Sequence, residues 1–152
     1  MTDIIDQNYE KFPAIIKEML DSGISFPKGT RFFYDKFIAY RIVTRAEGDF
    51  SSPISDNDFK SYKELGKSIK KKRIIGKNND DIDETLNSDL YSVSFFLEKE
   101  ELINYFSMPK PTKRMIQGFI HEESGPQYTN KKGHVSWWLY KQRDISTFTY
   151  CN

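Results

Sequence analysis

The sequence predicts a single α+β domain with a largely antiparallel sheet, packed by an N-terminal helix and one or two further helices. Three observations predict it. A length of 152 residues suits one hydrophobic core, so residues 1–152 are expected to form one unit. An aromatic share of 15%, with 12 Phe and 9 Tyr, is rich in strand-forming side chains. The apolar pattern switches along the chain between a helical step and a two-residue alternation.

The first helix spans Ile4 to Leu20, where Ile5, Tyr9, Phe12, Ile16 and Leu20 recur at three- and four-residue steps. Thr2 or Asp3 can cap it, Gly23 can end it, and Pro13 removes a donor mid-run and is expected to split it. After a Pro27-Lys28-Gly29 turn, a strand is expected from Phe37 to Thr44. Ile38, Tyr40 and Ile42 then share one face, and Phe37, Ala39, Arg41 and Val43 the other. The polar stretch from Glu47 to Asn57 reads as a loop, after which Ser55 or Asp56 can cap a short helix through Phe59, Tyr62 and Leu65. A charged loop at about 67–89 follows. Strands are expected at Leu90 to Phe96, Met115 to Ile120, His134 to Tyr140 and Ile145 to Tyr150, and a helix from Glu98 to Phe106 before Pro109 and Pro111.

Charge and composition exclude several classes. A formal net charge of +1 creates no field that would by itself draw nucleic acid or an anionic membrane. Cys151 is the one cysteine, which removes internal disulfides and cysteine-rich zinc sites. The acidic start, with Asp3, Asp6 and Glu10, lacks the basic and then apolar pattern of a secretion signal. No apolar run approaches a membrane span, so a cytoplasmic location without a membrane partner is expected. Gly-x-Gly-x-x-Gly, P-loop and Gly-x-Ser-x-Gly patterns are absent. The two histidines, His121 and His134, stand in no metal-ligand motif, so no metal is expected.

The residues that can carry chemistry lie on the predicted strands. Arg41 is a permanent cation among apolar neighbours and needs a counter-group, either an acidic side chain or an anionic ligand. Ser92 and Ser94 share one strand face, which suits a pocket lining or a solvated surface equally. From His134 onward, His134, Ser136, Trp138 and Tyr140 alternate with Val135, Trp137 and Leu139. The second set is expected in the core; the first either lines a cleft and stacks on a base or sugar, or forms an outward aromatic ladder. Lys70, Lys71, Lys72 and Arg73 form a basic run that can hold nucleic-acid phosphates, although Asp80, Asp81, Asp83 and Glu84 follow closely and can neutralise it.

Tyr40-Arg41 on an early strand, Asp58-Phe59 after a loop, Tyr91-Ser92-Val93-Ser94 before a helix, and Gly133-His134 with Trp137-Trp138 resemble a loosely defined set of small bacterial proteins. That likeness implies no activity. A more distant likeness is to ADP-ribosyltransferase-like proteins, in which an early-strand arginine and a Ser-x-Ser strand border the NAD site. It implies that Arg41, Ser92 and Ser94 border a ligand site, NAD among the candidates. Together with the strand face that begins at His134, this makes Arg41, Ser94 and His134 the catalytic candidates and Tyr40, Ser92, Trp138 and Tyr140 the ligand-contact candidates. After the Met115 to Ile120 strand the sequence departs from that family, with Glu122 and Glu123 side by side in place of a Gln/Glu-x-Glu. Three classes follow: a nucleotide- or NAD-binding protein of this kind, a protein-interaction module, and a nucleic-acid binder acting through the lysine run.

Overall fold

The computed structural model describes residues 2–66 and 88–151. The expected class holds: helices and one six-stranded antiparallel sheet share the domain. Pro13 divides the N-terminal helix as its missing N–H requires. Helix α1 (Thr2–Asn8) runs into a 3-10 turn at Tyr9–Lys11, and α2 (Ala14–Asp21) restarts directly after the proline. The remaining elements are β1 (Phe37–Thr44), a 3-10 turn at Asp56–Phe59, β2 (Val93–Phe96), α3 (Lys99–Phe106), β3 (Lys113–Ile120), a 3-10 turn at Glu122–Ser124, β4 (Gln127–Thr129), β5 (His134–Trp137) and β6 (Thr149–Tyr150). The sheet order is β4-β5-β2-β1-β3-β6.

The sheet's two faces are closed differently. Ala39, Val43, Val93, Phe95, Ile116, Ile120, Val135 and Trp137 form a buried layer on one face. It is covered by Phe59, Leu139 and Phe148, which come from loops and a 3-10 turn. Phe95 meets Trp137 edge-on at 5.7 Å and Phe148 at 5.6 Å, and such ring pairs add about 0.5–1.5 kcal/mol each beyond area burial. Gly118 makes this closure possible, because a Cβ there would stand 2.5 Å from the Phe148 ring. The opposite face carries α3 over β1 and β2. Around Trp138 and Tyr140, just past β5, lies a second core with Phe12, Ile16 and Met19 of the N-terminal segment.

Several boundaries differ from expectation, with physical reasons. The helix expected through Leu65 is a single 3-10 turn, held by a reciprocal Ser55–Asp58 capping box. The strand expected from Ile145 shrinks to Thr149–Tyr150, because Ile145 and Phe148 turn inward to close the core. Residues 67–87 lie outside the described residues, and with them Lys70, Lys71, Lys72, Arg73 and the nucleic-acid reading attached to them. Among the described residues no helix is long and apolar enough to cross a membrane.

Candidate functional site

The site begins where the sheet comes apart. β1 pairs with β3 along its whole length but meets β2 only through Tyr40 and Phe96. Beyond that pair the strands separate, and Arg41 fills the opening. With Tyr40 opposite Phe96, the antiparallel register sets Arg41 on the face of Phe95, whereas Ser94 leaves the opposite face beside Ser136. The guanidinium lies 5.7 Å from the Phe95 ring centroid. Its Nη1 donates to the Ser94 carbonyl at 2.8 Å, supplying the donor that a continued β1–β2 ladder would have provided, and its Nε donates to the Asp58 carbonyl at 2.9 Å. Burial pulls the Arg41 pKa down to about 10, against the opposing pull of Tyr62 and Asp58, so the group stays cationic at neutral pH.

Arg41 therefore takes a backbone oxygen of Asp58, while the carboxylate goes to another arginine. Arg45 forks onto Asp58 at 2.6 and 3.0 Å, and the same carboxylate accepts the Ser55 N–H at 3.0 Å. Burial alone would raise the Asp58 pKa. The Arg45 and Ser55 hydrogen bonds, with the charges of Arg45 and Arg41, outweigh it and hold the group below its ordinary value. The sign follows directly: a carboxylate depressed in the folded state adds stability above its unfolded pKa and loses it as pH falls through the folded one. Asp58→Asn is expected to be destabilised near neutrality, with the gap to the parent protein narrowing in urea titrations as pH drops from about 6 to about 2. A pH-independent gap would contradict this assignment.

Around the split lies a cleft of about 420 Å³, lined by Arg41, Asp58, Lys60, Ser92, Ser94 and Lys113 among others, with Leu102 and Phe106 of α3 as its apolar wall. Asp58 is the one acidic side chain among the described lining residues, and Arg45 already neutralises it. Ser92 spends its hydroxyl proton on the Asp89 carbonyl at 3.1 Å. Lys113 sits 3.1 Å from the Thr44 hydroxyl and 5.5 Å over the Phe106 ring, which fixes its position at the rim.

Of the residues singled out from sequence, Arg41, Ser92 and Ser94 meet in this cleft. His134 and Tyr40 do not line it. They flank Phe96 on neighbouring strands, His134 edge-on at 5.5 Å, and only Phe96 reaches the cleft. Trp138 and Tyr140 are buried and offer no open ring for stacking. Trp138 packs on Phe26 at 5.1 Å and donates Nε1–H to the Ser88 carbonyl at 3.0 Å, and Tyr140 packs on Phe12 at 5.0 Å. Arg45, Lys60 and Lys113 escaped sequence reasoning. For Arg45 a signal existed: it stands four residues after Arg41, on the same side of an extended chain. Lys60 and Lys113 come from segments 53 residues apart in sequence and give no local sign of meeting.

The described residues thus define an α+β domain with a split sheet and a cationic cleft at the split. Comparison of the chain with family models, curated protein sequences and solved structures returns no match.

Proposed function

We propose that this protein binds a small phosphate-bearing ligand of nucleotide type, NAD included, in the cleft at the β1–β2 split. The observation that carries the reading is the convergence of Arg41, Lys60 and Lys113 on one concavity whose lone described acid is already paired. Lys60 faces Glu64 at 3.8 Å, a partly exposed pair that offsets it only weakly, and Arg41 and Lys113 form no ion pair among the described residues, so the cluster keeps a net positive charge that an entering anion neutralises. Arg41 is held rigidly by two carbonyls, which lowers the ordering cost of presenting its remaining N–H groups. Leu102 and Phe106 provide an apolar wall for a base or sugar, in place of Trp138 and Tyr140.

Thermal unfolding with NAD, ATP and ADP-ribose tests this. A ligand that binds only the folded state adds about 2.7 kcal/mol at a hundred times its Kd, a rise of roughly 5–10 °C for a domain of this size. Adenosine is expected to give no shift. Lys60→Gln, which leaves both Arg41 hydrogen bonds in place, is expected to weaken nucleotide binding severalfold without lowering the variant's own Tm. An unchanged Tm at saturating nucleotide overturns the proposal.

A second reading has its own observation. Ile38 and Tyr105 are exposed beside the row Tyr40, Phe96 and His134 on the α3 side of the sheet, an apolar surface suited to a protein partner. Loss of a partner in Tyr105→Ser with nucleotide binding intact would favour it.

A further inference from the structure

A second concavity, of about 530 Å³, has a different chemistry. Its lining is largely apolar, with Phe50, Ile103, Met108 and Met115, and four cations, Lys99, Lys110, Lys113 and Arg114, stand around it. No carboxylate appears among the described lining residues. The ion pairs formed among the described residues, Lys17–Glu10, Arg45–Asp58 and Lys60–Glu64, leave all four cations without a carboxylate. Three of them are held in place by aromatic rings: Arg114 lies 4.5 Å over Phe50 and 5.6 Å from Tyr150, Lys99 lies 5.5 Å over Tyr40, and Lys113 lies 5.5 Å over Phe106. Lys113 is shared with the nucleotide cleft, but Lys99, Arg114 and the apolar residues are not.

From this arrangement we infer a binding site for an amphipathic monocarboxylate, an aromatic or medium-chain aliphatic acid. Its apolar body covers Ile103 and Met115 on the α3 side of the sheet, and its carboxylate meets Lys99, which lies over Tyr40 on that side, while Arg114 leaves the Val43 face of β3 and adds its charge from the rim. The volume falls within the range of small-molecule sites, and the mixture of apolar floor and few charges is what such ligands require. A polyphosphate would leave the apolar floor uncovered; an uncharged hydrocarbon would leave the gathered cations unneutralised. The inference does not depend on nucleotide binding in the other cleft.

Cys151 provides the readout, because it lines this concavity and is the one cysteine of the chain. Its Sγ lies half-buried, 3.7 Å from Gln117 Oε1, so an occupant over Met115 shields it. Decanoate, kept below its micelle concentration, and 1-naphthoate are expected to slow iodoacetamide alkylation of Cys151 saturably. Decanol and ATP are expected not to. Lys99→Gln is expected to raise the decanoate concentration needed by about threefold, the factor one partly exposed charge contact supplies, and Arg114→Gln by less. Lys60→Gln is expected to leave it unchanged. Equilibrium dialysis of 1-naphthoate against the parent and Lys99→Gln proteins gives the same answer without the thiol. Equal protection by decanol, or no saturable binding of either acid, overturns the inference.

Discussion

Gly125→Ala is expected to lose about 4 kcal/mol of stability or to fail to fold. Gly125 has φ 142° and ψ 164°, a backbone region in which side chains other than glycine's are strained by about 1–3 kcal/mol. A Cβ there would also stand 2.0 Å from the Trp138 carbonyl oxygen, a backbone atom that cannot swing aside. Relaxation on the other side is blocked as well. The Gly125 carbonyl accepts the Tyr34 hydroxyl at 2.6 Å and the Trp137 Nε1–H at 3.1 Å, so three segments meet at this one peptide. Burial pushes the Tyr34 pKa up, which keeps its phenol a donor. Gly133→Ala is the matched control. It too has a positive φ, of 83°, but its Cβ would meet only Leu97 at 3.7 Å or more, and a loss of about 1 kcal/mol is expected. Urea denaturation of the two variants checks the contrast. A Gly125→Ala protein within about 1 kcal/mol of the parent would show that the 122–125 turn can move.

Arg41→Met is expected to destabilise the domain by about 2–3 kcal/mol, a fall in Tm of roughly 5–10 °C, and to abolish nucleotide stabilisation. Methionine keeps much of the side-chain bulk against Phe95 but leaves the Ser94 and Asp58 carbonyls without their donor at the split. Arg41→Lys separates structure from binding. It keeps the charge at the cleft but can no longer fork onto two carbonyls that come from different segments. We therefore expect Arg41→Lys to recover part of the nucleotide response and little of the lost stability. If Arg41→Met unfolds like the parent protein, the split is held by β2–β5 and β1–β3 alone, and Arg41 has no structural role.

The two effects of Arg41 explain why its role was half visible in the sequence. Its place on a strand face otherwise occupied by Ala39 and Val43 followed from a two-residue period, and the structure keeps that alternation. The need for a counter-group followed from the cost of burying a charge. Neither argument could say that the counter-groups are main-chain carbonyls, because carbonyls carry no residue-type signature. Trp138 and Tyr140 show the complementary failure. Alternation placed them correctly apart from Trp137, yet it cannot tell an open face from a second core, and Phe12, Ile16 and Met19 arrive from more than a hundred residues away to bury them.

Residue periodicity, the break at Pro13 and the spacing of aromatic strands were enough to determine an α+β domain with a largely antiparallel sheet, since each depends on neighbours within a few residues. The tertiary structure alone decided where β1 leaves β2, that Arg45 takes the Asp58 carboxylate, and that Lys60 and Lys113 join Arg41 while His134 stays behind Phe96. Those outcomes depend on strand order and on how loops close over the sheet. Both are set by the packing of distant segments, on which local pattern has no hold.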